Sequence, residues 1–302
     1  MASSLRELRQ RRQSVTATKK ITRAMELIAS SQIVKAQQIA RNAMPYTTAL
    51  THAVSALASH GEVAHPLLED RVPARRSAML VVTGDRGLAG AYSSNVIKAA
   101  EQLYTKLTDE GQEVVQYITG NKGVGYFEFR NRPVEQKWTG FSDKPQYSHA
   151  REIAEVLIEK FLLPYEEGGV DQIHVVGTRF ISMLSQQATA TRLLPLVVEE
   201  TDEPATAGEI IPFYTFEPSA AAVLDQLLPL YVANRVYTVL LQSGASELAS
   251  RQTAMKAATD NAQQLIERLT REANQARQAE ITQEISEITG GAAALAESAG
   301  NE

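Results

Sequence analysis

The sequence predicts an α/β protein in which two long terminal helices pair as an antiparallel coiled coil. Between them lies a small, Rossmann-like α/β head. Three observations predict it. Glycine and proline punctuate only the middle: residues 61–244 hold 14 of the 17 Gly and 10 of the 11 Pro. Apolar residues recur every seven positions near the C-terminus. Short apolar runs alternate with helical patterns in between. The expected domains are a helix over 1–60, a head over 61–215 and a second helix over 216–302.

The first segment is rich in strong helix formers (Leu, Arg, Glu, Gln, Ala, Met, Lys). Ser3 or Ser4 offers an N-cap, with Glu7 placed for a capping box. Apolar residues follow helical spacing through Ile21, Met25, Ile28, Ala29, Ala36, Ile39, Ala40 and Ala43. Pro45 is expected to kink this helix without ending it, because the pattern resumes at Tyr46, Leu50, Val54 and Leu57. From Ser4 to Ser59 the helix would span on the order of 80 Å, more than a globular domain requires.

In the head, Ser77–Thr83 reads as a buried strand, followed by a Gly-rich turn and a helix over Ser93–Thr108. Glu113–Thr119, Val134–Trp138, Asp171–Gly177 and Leu194–Glu199 read as further strands. A turn and a short helix follow Glu113–Thr119, and another helix spans Pro145–Phe161. In the last segment Leu248, Met255, Ala262, Leu269 and Ala276 sit at heptad intervals. Ala258 with Leu265, and Ile266 with Ala273, supply the companion positions. The seam is expected to change phase and continue as Ile281, Ile285 and Ile288, a stutter in coiled-coil terms. Two helices packed into an ordinary bundle are the plainer alternative.

Composition narrows the chemistry. The chain has 302 residues, 44% apolar and 22% charged, with five His and no Cys. A disulfide framework, a thiolate metal site, a cysteine nucleophile and a thiol switch are thereby excluded. The N-terminal residues carry no secretory pattern, and no run approaches a membrane span. Ala220–Leu241, the nearest, is interrupted by Asp225, Pro229 and Arg235. The net charge of −5 conceals a basic arm: residues 1–44 hold nine Lys/Arg against Glu7 and Glu26. Segment 247–302 holds five basic and nine acidic residues, a complementary charge. The arm points to an acidic partner. Nucleic acid fits less well than a protein surface, because the rest of the chain would repel phosphate and no aromatic residues interleave the charges.

Two Gly-rich turns follow strands, at Thr83–Gly90 and Gly120–Gly125, where α/β folds hold phosphates. The first spaces its glycines by three throughout. The second has Tyr126-Phe127 where a P-loop places Lys and Ser/Thr. Tight strand-to-helix turns explain both, and a nucleotide-binding enzyme stays as a distant alternative. His52, His60, His65, His149 and His174 lack metal-ligand spacing, and Ser243-Gly244-Ala245-Ser246 is not a nucleophile elbow. No catalytic residue, cofactor or metal is expected.

Lys20-Ile21-Thr22-Arg23-Ala24-Met25-Glu26-Leu27-Ile28-Ala29, followed by Lys35-Ala36-Gln37, resembles the N-terminal helix of the gamma subunit of F-type ATP synthase. Asp85-Arg86-Gly87-Leu88-Ala89-Gly90 is similar to that family's D-R-G-L-x-G turn. Met255-Lys256-Ala257-Ala258-Thr259-Asp260-Asn261-Ala262 and Ala276 through Ala294 resemble its C-terminal signature. The matches fall in order along nearly the whole chain. The resemblance implies a rotor shaft without an active site of its own, a peripheral subunit on the cytoplasmic face of the bacterial cell membrane. It also implies four partners: alpha and beta subunits in a catalytic ring, an epsilon subunit, and a ring of membrane c subunits. It places Met25 near an acidic lever loop of the beta subunit, with Lys20 and Arg23 as its basic neighbours. Arg251 and Gln252 align with positions that meet a catch loop of that subunit. Gln278, Thr282 and Glu284 align with upper-shaft positions tied to coupling. Ala89 stands where some relatives have Cys, and the regulatory cysteine pair of chloroplast members has no counterpart here. The run after Ala294 reads as a frayed tail. A coiled-coil scaffold without a catalytic ring is the first alternative.

Overall fold

The computed structural model describes residues 5–59, 65–196, 217 and 219–299. The Ser3/Ser4 cap lies outside them. The elements run α1 (Leu5–Ser59), β1 (Arg76–Val82), α2 (Tyr92–Asp109), β2 (Glu113–Thr119), α3 (Asn121–Phe129), β3 (Gln136–Trp138), α4 (Tyr147–Leu162), β4 (Gln172–Phe180), β5 (Gln186–Leu194) and α5 (Ala220–Ala299). The terminal helices hold 55 and 80 residues. Among the described residues no helix is long and apolar enough to cross a membrane. By internal contacts the chain divides into two units: residues 1–28 with 253–302, and residues 29–252.

Residues 29–252 are built on a five-stranded sheet of order β3-β2-β1-β4-β5. β1 is parallel to both β2 and β4, while β4 and β5 form an antiparallel hairpin. Both faces of β1 are covered, which is why Ala78–Val82 reads as an unbroken apolar run. Ala78, Leu80 and Val82 point into a core shared with Phe161, Leu224, Leu228, Val232, Val236 and Leu240. Met79 and Val81 point the other way, into a core with Val96, Ala100, Ile118 and Phe127. The two-residue period of the strand sorts them.

Both long helices pass through a proline, Pro45 in α1 and Pro229 in α5. Each proline removes one backbone donor, but buried side chains hold the helix beyond it: Leu50, Val54 and Leu57 in α1, and Val232, Val236 and Leu240 in α5. The fifth strand differs from expectation. β5 ends at Leu194, where Leu194–Glu199 was expected to begin, and residues 197–199 lie outside the described residues. Its Gln-Gln-Ala-Thr-Ala-Thr-Arg stretch is too polar to read as a strand. It forms one because it is an edge, paired only with β4.

In the other unit the two chain ends pair antiparallel. Leu8 packs with Leu269 and Ala273, flanked by Leu5, Val15, Leu265 and Ala276. The Lys19 ammonium donates to Gln263 Oε1 at 2.6 Å, and the Thr22 and Thr259 hydroxyls lie 2.8 Å apart. The heptad positions Met255, Ala262 and Leu269 are buried as expected. The continuation of the seam is not: Ile281, Ile285 and Ile288 are 44%, 56% and 71% exposed. The reason is length. α1 begins opposite Ala276, so α5 runs on without a partner among the described residues. It stays helical to Ala299, through most of the expected tail; residues 300–302 lie outside the described residues. Along α1 the covered stripe is Thr22, Glu26, Ala29 and Ile33, while Ile21, Leu27 and Ile28 face outward.

Candidate functional site

The two glycine turns come together at the C-terminal ends of β1 and β2, the usual ligand end of such a sheet. Here the chain fills the place itself. Asp85 Oδ1 accepts from the Asn121 backbone N–H and side-chain amide, both at 3.1 Å, at the start of α3. Its Oδ2 accepts from the Gly140 and Ser142 N–H groups at 2.8 and 3.0 Å. Burial pushes this carboxyl up, but the backbone donors outweigh it and hold the group below its ordinary range. A carboxylate of the protein thus takes the donors that a phosphate would need. The second turn is closed by contact: Gly120 has φ 89°, and a Cβ there would lie 2.2 Å from the Thr83 carbonyl oxygen. Thr83 Oγ1 also accepts from the Gly123 N–H at 2.8 Å. Among the described residues no three His, Asp or Glu side chains form a group able to hold a metal.

The residues singled out for partner contact fall into three sets. Lys20 and Arg23 are exposed on α1 and Met25 is half-buried beside them. Arg23 Nη1 donates to Glu26 Oε1 at 2.8 Å; the arginine side chain is 56% exposed and the glutamate 10%. Arg23 can therefore meet a partner while holding a buried carboxylate. Gln278, Thr282 and Glu284 are exposed on the stretch of α5 that meets no opposing helix among the described residues, and the Thr282 hydroxyl bonds back to the Gln278 carbonyl at 2.9 Å.

Arg251 and Gln252 belong to the other unit, and Arg251 is buried. Its guanidinium pairs with Glu247 Oε1 at 2.5 Å and reaches toward the Arg86 and Gly87 carbonyls at 3.5 and 3.4 Å. Burial raises the Glu247 carboxyl, Arg251 draws it back, and the net shift is upward. Tyr92, buried beside them, is raised by burial and by the Glu247 charge. Glu247 carries no motif, so the sequence reading passes over it. The available signal is a Glu four residues before an Arg, directly after the run of small residues at Ser243–Ser246.

A 55-residue and an 80-residue helix, with a head whose ligand end is plugged, define a class: an interaction protein whose working surfaces are exposed side chains. Comparison with known proteins places it further. A family model described as ATP synthase matches residues 4–295. The ATP synthase gamma chain of Cutibacterium acnes is 61% identical over the full length of both chains. That of a Nocardioides species is 58% identical, also over both full lengths. The chain belongs to the ATP synthase gamma chain family. Its fold is also that of a rotor chain in the mitochondrial ATP synthase of Euglena gracilis, at 13% identity and a TM-score of 0.63, covering 92% of this chain and 98% of that one. A central-stalk chain of the Tetrahymena thermophila enzyme matches with a TM-score of 0.56 at 20% identity, covering 79% and 99%.

Proposed function

We propose that this chain is the central rotor shaft of an F-type ATP synthase. It couples transmembrane proton flow to ATP synthesis or hydrolysis in a ring of alpha and beta subunits, and it catalyses nothing itself. One observation carries the reading: the chain matches gamma chains over its full length while its fold pairs a 55-residue with an 80-residue helix. Such a shaft acts as a cam. Unequal contacts with successive ring subunits bias each between conformations.

The partner contacts we assign are the exposed Lys20, Arg23, Gln278, Thr282 and Glu284, together with half-buried Met25. The two cations suit an acidic loop of a beta subunit. Arg251 contributes through the turn it holds, and Gln252 from beside it. Epsilon and a c-subunit ring complete the partner set, at the cytoplasmic face of a bacterial membrane. The scaffold alternative requires no ring. The nucleotide-enzyme alternative loses its site to Asp85.

Native affinity purification of the tagged chain from detergent-solubilised membranes tests the reading. Recovery of stoichiometric alpha and beta subunits with ATPase activity is expected. Recovery of the chain alone, or with unrelated proteins, would overturn it in favour of a scaffold.

A further inference from the structure

Within residues 29–252, α5 packs on the head through apolar side chains over Leu224–Leu240, and along Ser243–Arg251 buried polar groups join Leu248 and Ala249. Those polar groups meet three separate parts of the head. Ser243 Oγ accepts from the Thr178 N–H at 3.0 Å, from β4. The Ser250 hydroxyl donates to Gln186 Oε1 at 3.1 Å, from β5. Glu247 and Arg251 are 1% and 8% exposed, and Arg251 faces the carbonyls of the turn at 84–90. Side chains of this stretch also lie close on glycine backbone of the head: a Cβ on Gly84 would lie 3.1 Å from the Glu247 carboxyl carbon, and one on Gly177 would lie 3.1 Å from Ser243 Oγ.

We infer that the Glu247–Arg251 pair is a clasp that fastens the 84–90 turn to the shaft helix, making both residues positioning residues for coupling. The inference rests on the rotor reading above. An apolar contact resists separation but yields to sliding, because dispersion and burial are non-directional. A directed, buried ion pair against fixed carbonyls resists rotation as well. Twist in α5 is thereby delivered to the head at this point. The clasp has a second consequence at the apex of the turn. Leu88 is 60% exposed with φ 62°, a left-handed conformation that a leucine keeps only where its surroundings impose it. Arg251 reaches the two carbonyls just before it, so the pair sets where Leu88 is presented.

The test uses the assembled complex in membrane vesicles, with wild type, Arg251→Met and Arg251→Lys compared at equal gamma content. Hydrogen exchange of amides 84–90, ATP hydrolysis and ATP-driven proton pumping are measured together. Arg251→Met is expected to speed exchange across 84–90 at least tenfold and to lower pumping per ATP hydrolysed at least twofold. Lysine keeps the charge beside Glu247, but its shorter side chain holds the donor nitrogen farther from the two carbonyls that Arg251 Nη2 reaches. Arg251→Lys should therefore fall between wild type and Met in both readouts, and it carries the test if Arg251→Met does not assemble. Unchanged exchange in the turn, or faster exchange with an unchanged pumping ratio, overturns the clasp. Wild type that assembles with no ring would instead overturn the rotor reading, which keeps the two failures distinct.

Discussion

Asp85 shows at the scale of one residue how the chain itself fills the ligand end of such a sheet. Its carboxylate takes four donors at 2.8–3.1 Å, which spares those N–H groups from going unpaired at the end of the sheet. Asp85→Ala is expected to cost on the order of 3 kcal/mol, read by urea denaturation of the purified chain. Because its folded pKa is lowered, the contribution stands above the unfolded carboxyl value and disappears as pH falls through the folded one. His174 acts in the same direction at higher pH. Burial first, with Arg192 and Lys106 adding to it, lowers its pKa to about 4. Between the unfolded value of about 6.5 and 4 the unfolded chain binds a proton that the folded chain refuses. Stability therefore drops as pH falls through that range, by at most about 1.4 kcal/mol per pH unit. His174→Gln should flatten the profile there; an unaltered slope would remove His174 as its source.

Among the elements, those with strong periodicity were legible and those set by tertiary pairing were not. β2 falls on Glu113–Thr119 as read, because its burial rises steadily along the strand. β5 was displaced because its polar edge has no pattern of its own. The heptads at Leu248–Leu269 were legible, whereas the fate of Ile281, Ile285 and Ile288 depends on where the opposing helix ends, which periodicity does not encode. The same holds for Ile21 and Ile28, on an α1 stripe that α5 does not cover. The unpaired stretch of α5 makes a distinct prediction. The double variant Ile281→Lys/Ile285→Lys should leave the stability of the isolated chain within about 0.5 kcal/mol of wild type, since both side chains are already exposed. Its yield of assembled complex should fall severalfold in co-purification. Loss of chain stability with normal assembly would mean that these isoleucines serve the chain's own packing.

For the whole molecule, the candidate contacts were legible only through family resemblance, because exposed Lys, Arg and Thr on a helix carry no internal signature of a partner. Glu247 was missed for the converse reason, since its meaning lies in the turn it meets across the fold. The charge asymmetry was legible directly, and it gives the shaft an exposed basic stretch beside half-buried Met25. Met25→Lys adds a charge beside Arg23 and Lys20 at the assigned interface. Pumping per ATP hydrolysed in membrane vesicles should fall at least twofold. An unchanged ratio would remove Met25 from the contact.

The central claim is that this chain turns within a ring, and single-molecule rotation tests it most directly. The sequence contains no Cys, so an Asp109→Cys variant, altered at an exposed position ending α2, presents one thiol on this chain for a bead. With the ring fixed to a surface and ATP supplied, unidirectional rotation of the bead is expected. Active ATP hydrolysis with a stationary bead would contradict it.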